Sequence, residues 1–284
     1  MSVDTPTRSD GGAPVAGLDG HLPANLRVTQ LRVLRSEWLK FWSLRSSYIA
    51  LAASMIGMIG FGVLFSAVTA NRWPALREAR KLAFDPTTTS LRGFELAQLI
   101  IGVLGVLIVT GEYSTGMIRA SMSAAPKRLP VVWAKAAVFT AVAFIVGEFT
   151  AFVSFFAGQA ILSSQHIETT LGAPDVFRSV FGTGLYLTGV GLLGVGLGWI
   201  IRSTAGGIAT LFGILLVLPA LGQALPDTWA QHINPYLPSN AGQVVTAIHS
   251  DPGLLAPWTG FAVFCVYVVV AFVGAAILVT RRDA

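Results

Sequence analysis

The stretch GEYSTGMIR (residues 111–119) is polar and lies between two apolar runs, Phe94 to Thr110 and Val131 to Leu162. Each run is long enough to cross a bilayer. Hydrocarbon cannot solvate Glu112 and Arg119 together, so the stretch must lie in water or at the membrane surface. Three basic residues and one acid between the two runs place it on the cytoplasmic side. On composition alone an ordinary loop is the first interpretation, and a docking site for a soluble partner is the second.

The composition of the whole chain indicates a membrane protein. It is 54% hydrophobic and 12% charged with a mean hydropathy of +0.68, whereas soluble domains are about 25% charged. The 284 residues and their apolar runs predict one polytopic α-helical membrane domain. The net charge of +5 does not indicate nucleic acid, because most basic residues lie beside predicted span ends. Cys265 is the single cysteine, which excludes an intramolecular disulfide.

Six membrane spans are predicted from the apolar runs. They extend from about Tyr48 to Val68, Phe94 to Thr110, Val131 to Leu162, Val180 to Ile201, Ala205 to Leu225 and Trp258 to Thr280. Thirteen of the 19 basic residues then lie on the side of the two termini, which predicts cytoplasmic termini. The third span is longer than a bilayer requires, so it must tilt, project into water or break near Gly158-Gln159.

Two external connections carry more than turn residues. The loop from residue 70 to 91 is basic, although external loops usually carry few basic residues. A short external helix is expected over residues 76–82. In the connection from Pro226 to Pro257, Pro235 and Pro238 prevent one continuous helix. A turn followed by a half-inserted or interfacial helix is expected there, and a plain solvent loop is the alternative.

The amino-terminal region divides into two parts. Residues 1–24 lack periodicity and are predicted to form a disordered cytoplasmic tail. Residues 25–45 are amphipathic, and residues 46–284 form the membrane domain. Leu31, Leu34, Trp38, Phe41 and Trp42 fall on one helical arc, and Arg32, Arg35, Ser36, Lys40 and Ser43 fall on the other. This predicts a helix in the membrane interface with its basic face towards anionic headgroups; packing on a soluble domain is the weaker alternative.

Four residues inside the predicted spans are candidates for packing or for a transport pathway: Glu148, Gln159, Gly194 and Gly198. The spacing of Gly194 and Gly198 predicts close helix packing within the subunit, with subunit dimerisation as the alternative. Glu148 is the one carboxylate deep in a predicted span. Two interpretations are equally favoured for it: a functional role, and a neutral or hydrogen-bonded side chain at a helix contact, with a nearby hydroxyl as one candidate partner.

Motifs for chemistry are missing from the sequence. It contains no P-loop, no H-E-x-x-H, no G-x-S-x-G and no histidines at metal-ligand spacing. We therefore expect no catalytic, metal or cofactor residues, and no enzyme activity in this chain.

Five stretches occur in a distinctive order: LRSEWLK (34–40), GEYSTGMIR (111–119), PKR (126–128), LGWIIRSTAGG (197–207) and YLPSNAG (236–242). Over residues 25–284 this order resembles the ABC-2 type permease family, the membrane subunits of ATP-binding-cassette exporters. The actinobacterial members are the most similar in type. Residues 111–119 are the most specific part of the resemblance, and the amphipathic start is the least specific.

The resemblance implies a six-span exporter subunit in a bacterial cell membrane. It would pair with a second permease, identical or different, and with two separate ATPase subunits that use ATP and Mg. The implied coupling helix, seated in a groove of the ATPase, comprises Glu112, Tyr113, Ser114, Thr115, Gly116, Met117, Ile118 and Arg119. The implied elbow helix contains Arg32, Arg35, Glu37, Trp38 and Lys40. An ion-coupled secondary transporter and a non-catalytic membrane scaffold are the alternatives, although paired intramembrane charges and inverted repeats are not evident.

Overall fold

The structure is a computed structural model that describes residues 29–117, 129–249 and 253–281. Within these ranges every regular element is helical and none is a strand. Six helical segments of the described chain are long and apolar enough to cross a membrane. This confirms the predicted fold class at the level of an all-α polytopic membrane protein. The predicted tail, residues 1–24, lies outside the described residues.

The helices follow the predicted order. They are α1 (Gln30–Ser43), α2 (Arg45–Arg72), α3 (Glu78–Leu82), α4 (Pro86–Leu91), α5 (Phe94–Ser114), α6 (Leu129–Leu162), α7 (Val176–Ile201), α8 (Thr204–Phe212), α9 (Leu218–Gln223), α10 (Asp227–Ile233), α11 (Pro238–Gln243) and α12 (Pro257–Arg281). The first four spans are α2, α5, α6 and α7. The fifth consists of α8 and α9 joined by a π-helical turn over Gly213–Val217, and the sixth is α12.

The third span, α6, is one continuous helix of 34 residues through Gly158 and Gln159. Of the three alternatives for this long span, the break at Gly158-Gln159 is therefore excluded. A methyl group on Gly158 would overlap the side chain of Ser90, so this glycine permits close contact with α4. At 1.5 Å per residue α6 is about 51 Å long, well beyond a hydrocarbon core of about 30 Å. Tilting or projection into water accounts for the excess length.

The fourth span, α7, lies at the centre and packs against α5, α6 and α12. Its contact with α5 is built from glycines on both helices. A methyl group on Gly194 would overlap the carbonyl oxygen of Gly102, and one on Gly198 would lie 3.0 Å from Cβ of Val109. The absence of side chains lets the two backbones approach closely. Both predicted glycines thus face a neighbouring helix of the same subunit.

The connection between the first two spans contains two helices. The predicted short helix is present as α3, and its external position stays a prediction. The second helix, α4, was not predicted; its start is capped by Asp85, whose carboxylate accepts a hydrogen bond of 2.8 Å from the backbone N–H of Thr87. Gln159 ties α6 to this helix by donating to the carbonyl of Pro86 and the hydroxyl of Ser90. These bonds give Gln159 a packing role.

The connection before the sixth span folds back onto the bundle. Pro235 lies in a 3-10 turn and Pro238 begins α11, so the two prolines interrupt the helix as predicted. Ala241 and Val245 are fully buried, and α11 packs against α12. In its described part this connection is therefore not a plain solvent loop. The helix lies over residues 238–243, ahead of the apolar residues 244–248.

Candidate functional site: a buried ionic cluster

The helix α1 packs one face against the third span. Glu37 and Phe41, one turn apart, are each only 4% exposed, and Lys40 is half-buried beside them. Leu34 contacts the same apolar core from the preceding turn. This face carries a carboxylate and an ammonium group into the base of the membrane bundle.

Four charged side chains from three helices meet at this base, and we call them the ionic cluster: Glu37, Lys40, Glu112 and Lys135. The ammonium group of Lys135 donates to Oε2 of Glu37 at 2.6 Å and to Oε1 of Glu112 at 2.8 Å. Lys40 donates to Oε1 of Glu37 at 2.6 Å and lies 3.5 Å from Oε1 of Glu112. The cluster therefore joins α1, the end of α5 and the start of α6.

The charges of the ionic cluster balance, with two carboxylates and two ammonium groups. Burial alone would raise the pKa of Glu37, but Lys135 and then Lys40 outweigh it and hold this pKa below its ordinary value. Burial alone would lower the pKa of Lys40, but the carboxylates of Glu37 and Glu112 outweigh it and raise this pKa. Both groups are therefore charged at neutral pH and form an ion pair within the cluster.

Beyond the ionic cluster the chain emerges from the bundle. The helix α5 ends at Ser114, and the side chains from Ser114 to Met117 are exposed. Gly116 has a φ of +73°, the left-handed conformation in which glycine commonly ends a helix. Ile118 and Arg119, the last two residues of the predicted coupling helix, lie outside the described residues.

The structure changes the role expected for Glu112. The sequence suggested that its charge would contact a partner protein, but the side chain is 5% exposed and Oε1 accepts from Lys135. Sequence reasoning missed Lys135 as its partner and counted it only as a cytoplasmic charge. A lysine just inside an apolar span must find a counterion or reach water, and that was the available signal.

The predicted polar arc of α1 is also corrected. Lys40 faces the ionic cluster, not the headgroups, and Glu37 is buried. The apolar arc divides, because Leu34 and Phe41 pack on the bundle while Leu31, Trp38 and Trp42 remain exposed. Trp38 and Trp42 form an edge-to-face pair with centroids 5.9 Å apart. At 100° per residue, Ser36 and Ser43 lie on the other flank of the exposed surface of α1, away from the two tryptophans.

The end of α5 makes a second set of contacts. Arg202, at the end of α7, places its guanidinium 5.2 Å from the centroid of the Tyr113 ring. The ring of Trp199 meets Tyr113 edge-on at 6.1 Å, and Thr204 donates to the hydroxyl of Thr110 at 2.9 Å. Arg202 also donates to the carbonyl of Leu278 in α12. Residues at the base of the exposed segment are thus linked, directly or through Arg202, to the fourth, fifth and sixth spans.

Glu148, in the third span, lies far from the ionic cluster. Its carboxyl group packs against Gly184, where a methyl group would lie 2.5 Å from Cδ. Neither carboxyl oxygen has a hydrogen-bond partner in the described part of the chain. Glu148 thus lies at a helix contact without the hydroxyl partner that was one of the alternatives for it.

Comparison with known proteins does not assign this chain to a family. No family model matches the sequence, and no curated protein matches it significantly. Functional inference therefore rests on the fold and on the positions of the charged side chains.

Proposed function

We propose that this chain is the permease subunit of an ATP-binding-cassette exporter of the ABC-2 type. It would pair with a second permease in a bacterial cell membrane, with both termini in the cytoplasm. Two separate ATPase subunits would bind ATP and Mg and drive the transport. The supporting observation is the bond between Glu112 and Lys135 immediately before the exposed segment from Ser114 to Met117.

The geometry suits the transmission of force from a soluble partner. In the proposal, an ATPase groove holds the exposed segment from Ser114 to Met117. Movement of that groove displaces the end of α5, which is bonded to α6 through Lys135 and to α1 through Lys40. Rearrangement of packed helices between two states is the usual structural basis of alternating access.

The strength of the ionic cluster determines which helix ends move together. Breaking a buried ion pair by removing one partner costs about 3–5 kcal/mol, because the other charge is left buried and unpaired. Coupling energies between distant sites are usually about 1–3 kcal/mol. A coupling event of that size does not separate α1, α5 and α6 at the cluster, so in the proposal these helix ends move as one unit.

The helix α1 supplies the membrane contact of this unit. Leu31 is 76% exposed, and Trp38 and Trp42 are exposed on the same flank. Tryptophan beside aliphatic and basic residues favours the headgroup region of a bilayer. In the proposal α1 is the elbow helix, anchored in the interface by this flank and in the bundle by Glu37.

The experiment uses the exposed segment directly. The chain is co-expressed with any soluble P-loop protein that a neighbouring reading frame encodes, and co-purification of the two is measured. Thr115→Tyr places a bulky side chain on the exposed segment and should reduce recovery of the ATPase and coupled ATP hydrolysis. Thr280→Tyr, an exposed threonine near the end of α12, is the matched control. Failure of the native chain to retain an ATPase, or full retention by Thr115→Tyr, would contradict the proposal.

A secondary transporter is the second candidate, and Glu148 is the observation that favours it. An unpaired carboxyl group in a membrane span is a candidate proton carrier. Reconstituted vesicles with an imposed membrane potential would then take up protons, and Glu148→Gln would abolish the uptake. Absence of uptake by the native protein would exclude this candidate.

A further inference from the structure

A partly open cavity of about 410 Å³, with a mainly apolar lining, lies at the end of the bundle opposite the ionic cluster. Helices α4, α5 and α7 and the connection before the sixth span enclose it. Glu95, in the first turn of α5, lines it and lies 17 residues before Glu112, about 25 Å along the helix. A volume of about 300–1,000 Å³ is usual for sites that bind small molecules.

Glu95 supplies the only formal charge among the described residues that line the cavity. Its carboxylate forms no ion pair and accepts no hydrogen bond within the described part of the chain. The nearest basic residue in sequence, Arg92, instead places its guanidinium over the ring of Phe65 at 5.4 Å. The carboxylate is therefore available to a positively charged solute.

Two threonine hydroxyls that line the cavity act as acceptors, because the protein already uses their hydrogens. The hydroxyl of Thr88 donates to Asp85 at 2.5 Å, and the hydroxyl of Thr246 donates to the carbonyl of Gln243 at 2.8 Å. Each hydroxyl has a single hydrogen, so both oxygens can now only accept.

Three amide side chains also line the cavity, those of Asn234, Asn240 and Gln243. Asn240 donates from Nδ2 to the carbonyl of Asn234 at 2.8 Å, and Gln243 donates from Nε2 to the hydroxyl of Tyr186 at 3.3 Å. Each of these bonds uses one of the two N–H hydrogens of its amide group. The side-chain oxygen of Asn234 has no hydrogen-bond partner in the described part of the chain. The amide oxygens of Asn240 and Gln243 accept no hydrogen bond within the described residues, which leaves them to a ligand.

Apolar surface completes the cavity. Phe94 and Leu91 line it on one side, and Val244 and Leu254 line it on the other. Such a site, with one carboxylate, several acceptors and apolar walls, complements a compact cation that carries N–H donors on an apolar body.

We propose that this cavity is a binding site for a small organic cation, a protonated primary amine on an aliphatic or aromatic body. The carboxylate of Glu95 pairs with the ammonium group, whose remaining N–H donors are bound by acceptor oxygens among those of Thr88, Asn240, Gln243 and Thr246. The site lies within one subunit, and its existence does not depend on coupling to an ATPase.

Three matched probes test the proposal on the full-length protein in detergent micelles. Benzylamine has a charge and N–H donors, benzyltrimethylammonium has the charge without donors, and benzyl alcohol has a donor without the charge. Binding is measured by isothermal titration calorimetry and by the shift in melting temperature. Benzylamine should bind roughly ten-fold or more tightly than either of the others, as expected when a charged hydrogen bond is lost.

The variants assign the binding to the cavity. Glu95→Gln keeps the shape and removes the charge, so benzylamine affinity should fall roughly ten-fold or more. Glu168→Gln, an exposed acid in the connection between α6 and α7, should leave the affinity unchanged. The proposal is overturned if the native protein does not bind benzylamine, if all three probes bind alike, or if Glu95→Gln and Glu168→Gln behave alike.

Discussion

The Nζ atom of Lys135 lies 2.8 Å from Oε1 of Glu112, and this contact joins the start of the third span to the end of the second. The same nitrogen lies 2.6 Å from Oε2 of Glu37, so one ammonium group bridges two carboxylates. All three side chains are 5% exposed or less. Lys135 is therefore the residue on which the electrostatic balance at this end of the bundle depends.

Lys135→Met should strongly destabilise the protein. The substitution keeps the length of the side chain but leaves two buried carboxylates facing one remaining cation, Lys40. A loss of about 3–5 kcal/mol in the free energy of unfolding is expected. Unfolding of the purified protein in mixed micelles by increasing denaturing detergent measures this loss.

Two further variants separate the charge effect from lost packing. Lys81→Met removes a partly exposed lysine paired with the exposed Glu78, and such surface pairs contribute about 0–1 kcal/mol. The double variant Lys135→Met/Glu112→Gln restores the charge balance and should regain part of the lost stability. If the double variant is no more stable than Lys135→Met, the charges of the ionic cluster are not the cause.

The pH dependence of stability follows from the two pKa shifts in α1. The pKa of Glu37 is lowered, so its contribution is complete above the unfolded value of about 4.3 and is lost as the pH falls through the folded value. The pKa of Lys40 is raised, so its contribution is complete below the unfolded value of about 10.4 and is lost as the pH rises through the folded value. These two groups should therefore leave stability unchanged from about pH 5 to pH 9.

Melting temperatures measured from pH 3 to pH 7 test the acid branch. The native protein should lose stability below about pH 4 as Glu37 takes up a proton. Glu37→Gln lacks that group, so its melting temperature should start lower and fall less over the same range. An equally steep acid loss in both proteins would show that other carboxylates cause it.

Hydropathy was sufficient to predict the six spans, since each apolar run is separated from the next by polar residues. It could not predict the ionic cluster, because Glu37 and Lys135 are 98 positions apart in the chain. A hydropathy scale also assigns every charged residue to a position exposed to water. Lys135 instead lies inside a helix that begins at Leu129, where a counterion from another helix replaces water.

The sequence predicted a close helix contact on α7, but it did not predict that α5 is the helix on the other side. The spacing of Gly194 and Gly198 indicates a close approach, and only the fold shows that α5 of the same subunit is opposite. Glu95 was visible in the sequence as a charge near a span end. Its cavity could not be predicted, because the acceptor oxygens of Asn240, Gln243 and Thr246 come from a connection about 150 residues later.

Gly194→Ala should weaken the packing of α7 on α5. The added methyl group would overlap the carbonyl oxygen of Gly102, and overpacking of this kind costs about 1–3 kcal/mol. Gly60→Ala is the control, because a methyl group there has nothing within 4 Å. Alanine favours helices over glycine by about 1 kcal/mol, so Gly60→Ala should be neutral or stabilising. Unfolding in mixed micelles measures both, and equal effects would contradict the packing role of Gly194.

The exposed surface of α1 gives opposite predictions for its two flanks. Leu31 lies on the flank of Trp38 and Trp42, whereas Ser36 lies on the flank of Ser43. If α1 rests in the membrane interface, the first flank meets lipid and the second meets water. Single cysteines at positions 31 and 36, in a Cys265→Ser background and labelled with an environment-sensitive dye, should therefore respond differently in reconstituted membranes.

The label at position 31 should be quenched by lipids brominated near the headgroups, and the label at position 36 by iodide in the water. The two labels lie only five residues apart on one helix, so a difference in helix stability would affect both. A difference in which quencher acts on each label therefore reports its environment. Glu37 and Phe41 hold the opposite face of α1 against the bundle, which fixes the rotation of the helix. Equal quenching by iodide at both positions would place α1 in water and remove the membrane anchor from the proposed elbow helix. Equal quenching by brominated lipid at both positions would place the flank of Ser36 in lipid as well, which would contradict the predicted orientation of α1.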